Sequence, residues 1–447
     1  MKLIKKWQEP IYAIGGFGPG FLYQIALTYL LYYYRPAISL VDKGALVLAP
    51  AAGYAAGMLV ARILDGLVDI PIAQWTDNMK SRWGRRRPLM LAGMIPAAIV
   101  FMLMWYPPVT GAALTENGHW ANALYIAVMS SLFFFFYTLM TVPYLASLSE
   151  IVKDETSRVR VASWQTFFNT GSYVLVYVLA PILFDKFGVR GTVWLLLPCI
   201  ISFIGPLLVI KEDSTLNKAT PQTPQESDVV GKDLSIWKSF KLTLTNRTFG
   251  IYALSLATFF FGLQFFLGGI SYMALDMMGL TQTQLGTMNA AAFAPVPIML
   301  LIFNFIARKK GAKWGFQLAL IVFAIVMFCF PLGWTKLNMP LSPYLIGIIL
   351  GGIGSFSVGV FFTIPYAFPS QIAADEAAVT GKNRAGMYFA VQGLINQFVG
   401  SLAGSLLALL LSWKYGFVAI GPVAGLACLL SLVFIRKYPL GQAPKKI

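Results

Sequence analysis

The sequence predicts an all-α integral membrane protein of twelve transmembrane helices in two six-helix pseudo-repeats, and three observations carry that prediction. The composition is too apolar for a soluble chain, apolar stretches of spanning length recur twelve times, and segments of the first half return in order in the second. Of 447 residues, 57% are hydrophobic and 12% charged, whereas a soluble chain of this size carries roughly a quarter charged residues. Each stretch holds about 20 apolar residues, enough to cross a hydrocarbon core of about 30 Å as a helix.

The first span, 11–34, follows "MKLIKKWQEP", a short basic lead rather than a cleavable signal, since no small-residue cleavage site follows a separate apolar core. The second, 44–74, runs into a basic loop over Lys80 to Arg87, and the third, 88–106, follows that loop. The fourth, 119–148, ends in "TVPYLASL"; the fifth and sixth, 161–184 and 191–210, complete the first half. A polar stretch rich in Pro, Ser, Thr and Gln follows, with a short interfacial helix expected over Leu234 to Leu244. The second half repeats the count with 248–275, 284–307, 315–335, 343–370, 384–412 and 416–435. The domains expected are therefore 1–210, a linker over 211–247, and 248–447.

An even number of spans puts both termini and alternate loops on one side. That side gathers 27 of the 34 lysines and arginines, and the other holds Arg35, Lys43, Lys186, Arg190, Lys336 and Lys414. By the positive-inside rule the termini are cytoplasmic, and the expected location is the cell membrane. The net charge of +16 thus reports topology, and no nucleic-acid partner is expected. Cys199, Cys329 and Cys428 lie in spans without CxxC spacing, and His119 is the sole histidine. No disulfide framework, zinc site, His-based triad, HExxH motif or phosphate loop is indicated, so neither an enzyme nor a cofactor is expected. Oligomeric state is not legible, and a monomer is the working expectation.

The halves echo each other. "TVPYLASLSEI" parallels "TIPYAFPSQIA", "SRWGRRRP" parallels "ARKKGAKW", and "RVASWQTFFNTGSYV" parallels "RAGMYFAVQGLINQF". These pairs lie about half the chain apart in the same orientation, as in transporters built from paired six-helix halves with a site at their interface.

Charge inside the second span is the sharpest functional signal. Asp65 and Asp69 are i and i+4 and share a helical face, with Arg62 three residues before Asp65 on the same stripe. An ionised carboxylate at mid-bilayer costs roughly 3 kcal/mol on insertion scales, and intramembrane acids by default mark ion or proton pathways. One arginine cannot neutralise two aspartates, so the residual negative charge suits a coupling cation. A structural network neutralised by Arg62 is the competing reading, and both can hold. The following loop, with Asp77, Arg82, Gly84, Arg85 and Arg86, sets topology and is also placed to lock one conformation as a gate.

"DGLVDIP" followed by "DNMKSRWGRRRP" resembles the second helix and loop of the glycoside-pentoside-hexuronide:cation symporters, the melibiose permease family of the major facilitator superfamily. The resemblance extends to the first and fourth spans and to "TGKNRAGMYFAVQGLINQ" before the eleventh. It implies the major facilitator fold and a sugar-like solute moved with Na⁺, Li⁺ or H⁺ by alternating access. Asp65 and Asp69 match the family's cation-site carboxylates, and Thr138 matches a hydroxyl ligand on the fourth helix. Val68 stands where sodium-using members carry asparagine, which removes an oxygen and tilts the expectation toward protons. On the sugar side, Gly20, Thr141, Gln165 or Thr166, and Gln397 stand where melibiose-type members place charged residues, which argues against melibiose itself.

Neutral polar residues remain for a solute. Gln165, Asn169 and Tyr173 recur every four residues in the fifth span, as do Tyr388, Gln392 and Asn396 in the eleventh, with Gln397 adjacent. Amides donate and accept at once, which suits a hydroxyl-rich neutral solute, and Trp164 offers an apolar face for a sugar ring. The same residues could instead join helices by hydrogen bonds. The expected function is proton- or cation-coupled symport of a neutral sugar or glycoside. Alternatives are a carrier of a lysolipid or other amphiphile and a non-transporting receptor on the same fold.

Overall fold

The computed structural model describes residues 4–152, 155–212, 214, 243, 245–380 and 385–438. Helices account for the regular structure, with no strand among the described residues. The principal ones are α1 (Phe17–Tyr34), α2 (Ala51–Asn78), α3 (Arg87–Leu103), α4 (Trp120–Ile151), α5 (Glu155–Leu196), α6 (Arg247–Tyr272), α7 (Gln282–Phe293), α8 (Val296–Lys310), α9 (Ala312–Cys329), α10 (Pro343–Thr380), α11 (Ala385–Leu410) and α12 (Gly416–Arg436).

Ten helical runs among the described residues are long and apolar enough to cross a membrane. The difference from the expected twelve has two local causes. The third expected span, α3, is apolar but only 17 residues long. The fifth and sixth continue into one run, Phe167–Val209, interrupted by Gly188 at φ 67° inside α5 and by a 3-10 turn over Leu197–Phe203. Other boundaries shift for equally local reasons. The second span begins at Ala51 because Pro50 is extended, and the eighth is divided into α7 and α8 near Pro295. The predicted interfacial helix over Leu234 to Leu244 falls almost wholly outside the described residues.

Two compact units are distinguished. One comprises Met1–Thr220 with Thr281–Gly286 and Ala408–Ser412; the other comprises Pro221–Leu280, Thr287–Leu407 and Trp413–Ile447. In the first, α2 packs on α4 through small side chains. A Cβ added to Gly53 would lie 2.6 Å from that of Ala123, and one on Gly57 2.9 Å from that of Ala127. Such close approach replaces the hydrophobic driving force that lipid removes. Tyr12 and Tyr144 then lock the segment before α1 to α4 reciprocally: the Tyr12 hydroxyl donates to the Tyr144 carbonyl at 2.7 Å, and the Tyr144 hydroxyl to the Tyr12 carbonyl at 3.1 Å. Met140, Phe203 and Ile210 close the core around them.

In the second unit α6 packs on α12, and α9 packs on both α12 and α10. The Ser255 and Ser431 hydroxyls meet at 2.8 Å, while Phe316 packs edge to face on both Phe259 and Phe361, which are tilted against each other. The amide of Asn246 accepts from the Thr248 and Phe249 N–H groups, capping α6 at its start.

Candidate functional site

Arg62 and Asp65 meet one turn apart on α2, where guanidinium Nη1 donates to carboxylate Oδ2 at 3.1 Å. Both residues are 4% exposed. The other carboxylate oxygen, Oδ1, accepts from the Thr138 hydroxyl of α4 at 3.0 Å. Rings cover the remaining face of the guanidinium, with Phe134 centred 3.9 Å away and Tyr23 of α1 5.0 Å away. Tyr23 in turn stacks on Tyr137 at 4.8 Å. Burying an ion pair carries a desolvation cost that Coulomb attraction alone does not reliably repay. Here the hydroxyl and the two aromatic faces supply the additional contacts.

Three helices of one unit therefore converge on a neutral, buried Arg62–Asp65 pair. Asp69, one turn further along α2, is half-buried. Counted over Arg62, Asp65 and Asp69, the formal charge is negative. Val68 lies in another environment, against the apolar cluster of Ile72, Leu89 and Leu139.

The polar stripes separate by environment. Gln165 donates to the Tyr144 hydroxyl at 2.9 Å, which attaches α5 to α4. Tyr388 is fully buried, donates to Glu376 at 2.9 Å and accepts from Asn246 at 2.7 Å. Gln392 accepts from Tyr252 at 2.7 Å and donates to the Pro365 carbonyl at 2.9 Å. These three join helices within their own units. Trp164 is 40% exposed, with Phe168 stacked beside it, and Asn169 is exposed. Tyr173, Asn396 and Gln397 are half-buried, and Asn396 Oδ1 has no hydrogen-bond partner among the described residues. Thr141 bonds back to the Tyr137 carbonyl within α4. Gly20 faces Asn169 so closely that a Cβ there would lie 2.9 Å from Oδ1, leaving no room for an acid unless Asn169 moves. The side chain of Thr166 is outside the described residues.

Comparison with known proteins decides the family. The family model described as MFS/sugar transport protein matches residues 11–435, almost the whole chain. The chain belongs to this family. It is a multi-pass secondary transporter and not an enzyme, and the resemblance to glycoside-pentoside-hexuronide:cation symporters holds along both halves. An uncharacterized symporter of Bacillus subtilis, YnaJ, is 27% identical over 94% of this chain and 85% of its own length. An uncharacterized symporter of Synechocystis, sll1374, is 24% identical over 91% of this chain and 85% of its own. Among solved structures, the nucleoside transporter NupG shares the fold with a TM-score of 0.63 at 13% identity, covering 97% of this chain and 99% of that one.

In this MFS chain the loop after α2 is fixed by a residue that sequence reasoning missed. Glu212 Oε2 accepts from the backbone N–H groups of Arg86 and Arg87 at 3.0 and 3.2 Å, so its carboxylate caps the start of α3. Gly84, at φ 90°, lies against the same side chain; its added Cβ would sit 2.2 Å from Glu212 Cβ. Arg86 is buried and donates to the Pro143 carbonyl at 3.4 Å, while Arg82 is exposed and Arg85 half-buried. The Asp77 side chain lies outside the described residues. Glu212 opens the long polar stretch, where nothing local marks it as a cap for a helix 125 residues earlier. A second missed contact is Glu9, buried and paired with Arg160 at 2.7 Å.

Proposed function

We propose that this transporter couples uptake of a neutral sugar or glycoside to a cation by alternating access, with H⁺ favoured over Na⁺. The observation that carries the proposal is the commitment of Arg62 to Asp65 inside a buried cluster. Asp69 lies one turn beyond Asp65 on α2 and is half-buried, so it is placed beside this pair without being part of it. Asp69 is accordingly the group assigned to take the coupling ion, and Asp65 with Thr138 forms its support. Protons are favoured because a hard cation seeks several oxygens, while both Asp65 oxygens already accept hydrogen bonds and Val68 packs among apolar side chains.

For the solute, the exposed Trp164 and Asn169, with Thr141 and Tyr173, are the candidate contacts within the first unit, and Asn396 and Gln397 are candidates within the second, each unit taken by itself. Gln165, Tyr388 and Gln392 are assigned to positioning, because their polar groups already join helices. No charged side chain appears in this set, which supports a neutral, hydroxyl-rich solute, and the family description supports a sugar. A cell-membrane location with both termini cytoplasmic follows from the charge asymmetry of the loops. The loop from Arg82 to Arg86 is proposed to act in gating together with Glu212.

The test is uptake of a labelled panel of neutral sugars, glycosides, sugar acids and lysolipids into vesicles holding the purified protein, driven by a pH or a sodium jump. Accumulation of a neutral sugar under the pH jump alone is the expected result. Accumulation of only a lysolipid, or of nothing, would overturn the substrate assignment.

A further inference from the structure

The side predicted to be poor in cations carries Arg190, Lys336 and Lys414, and all three sit in aromatic clusters. In the first unit Arg190 Nε donates to the Tyr33 hydroxyl at 2.7 Å and to the Trp105 carbonyl at 3.0 Å. Its guanidinium lies 4.6 Å from the Tyr106 ring centroid, and Trp194 donates its indole N–H to the Tyr106 hydroxyl at 2.8 Å. Both of those Arg190 bonds use Nε, so the terminal nitrogens remain available. In the second unit Lys336 donates to the Tyr415 hydroxyl at 3.2 Å, with Nζ 4.7 Å from that ring and 5.5 Å from the ring of Trp334. Lys414 approaches the same tyrosine at 5.7 Å. No acid pairs with these three cations among the described residues.

The two clusters occupy equivalent places in their units. Each joins residues just after the third helix of its half, Trp105 and Tyr106 after α3 or Trp334 and Lys336 after α9, to the junction between fifth and sixth, Arg190 beyond Gly188 or Lys414 and Tyr415 between α11 and α12. Trp334, Lys336, Lys414 and Tyr415 lie just beyond the ends of membrane-crossing runs and Tyr33 lies at the end of another, while Arg190 follows the Gly188 break inside the long run Phe167–Val209. Amphipathic rings at such ends meet the headgroup layer. Setting topology does not account for cations on this side, since the positive-inside rule depletes them there. Their partners are neutral rings and carbonyls that orient a positive head without neutralising it, and exposed Trp194 and Tyr106 offer apolar surface beside it. That combination suits a phosphate carried on an apolar body.

We propose that each cluster is a headgroup site for an anionic phospholipid, one per unit, at the membrane face opposite the loop over residues 80–87. The proposal rests on membrane embedding and on the topology proposed above, and does not depend on which solute or ion is carried.

The test uses the full-length protein in nanodiscs of equal phosphatidylglycerol and phosphatidylcholine, with retained lipids counted by native mass spectrometry. The wild type should retain phosphatidylglycerol selectively at two sites. Arg190→Gln should weaken retention at one and Lys336→Gln with Lys414→Gln at the other, with affinity falling about fivefold per cation removed. Because Arg190 also holds Tyr33 and Trp105, Arg190→Lys is the companion variant and should retain more phosphatidylglycerol than Arg190→Gln. Millimolar inorganic phosphate should leave the retained lipid in place. Undiminished phosphatidylglycerol in the triple glutamine variant overturns the proposal. So does equal loss in Arg190→Lys and Arg190→Gln at unchanged melting temperature, or displacement by inorganic phosphate.

Discussion

Replacing Arg62 with leucine strips the buried Asp65 carboxylate of its cation and leaves it, among the described residues, the Thr138 hydroxyl. Breaking a buried pair by removing one partner typically costs about 3–5 kcal/mol. Loss of the guanidinium from the Phe134 face at 3.9 Å adds about 1–2 kcal/mol, which the apolar leucine partly offsets. Arg62→Leu is therefore expected to destabilise by about 4 kcal/mol, and Asp65→Asn, which strands the arginine, by about 3 kcal/mol or more. In the double variant no charge is stranded and an amide oxygen can still accept from Thr138. The double loss should fall short of the summed single losses by about 2 kcal/mol or more, within the range for contacting residues. Unfolding of the purified protein by SDS titration in mixed micelles, followed by tryptophan fluorescence, measures all four corners of the cycle. Additive losses, or a cost below about 1 kcal/mol for Arg62→Leu, would refute the buried-pair reasoning.

Glu212→Ala should free the Arg86 and Arg87 amides, cost about 1 kcal/mol as other helix caps do, and speed hydrogen exchange at the start of α3. Gly20→Ala should push Asn169 aside, raising the apparent KM for the solute while the melting temperature stays within a few degrees, since the atom displaced is the end of a side chain. Val68→Asn should destabilise by about 1 kcal/mol, because it sets an amide against Ile72, Leu89 and Leu139, and should not confer sodium-driven uptake. Tyr415 has its phenol held below the usual tyrosine range by the hydrogen bond from Lys336 and the charges of Lys336 and Lys414. Its phenolate therefore forms at lower pH in the folded protein, and Lys336→Gln should move that step upward in an ultraviolet titration.

The helical class and the charged stripe of the second span were legible because each rests on short-range periodicity. Arg62 at i and Asp65 at i+3 must share a face wherever that helix sits, and the i+4 step brings Asp69 onto the same side. What covers that face is set by other helices. No local pattern announces that Phe134 and Tyr23 would enclose the guanidinium, or that Thr138 would reach Asp65 rather than a free ion. The polar stripes illustrate the same limit. Gln165 and Asn169 are one turn apart with similar chemistry, yet one bonds Tyr144 and the other is exposed. Glu212 was illegible for a further reason: its partners are backbone N–H groups, which carry no sequence signature.

The most direct test of the coupling assignment compares Asp69→Asn and wild type in the same proteoliposomes, first in solute exchange without a gradient and then under an imposed proton gradient. The account predicts that the variant still exchanges solute across the membrane but no longer concentrates it when the inside is made alkaline. Gradient-driven accumulation by Asp69→Asn at the wild-type level would contradict it.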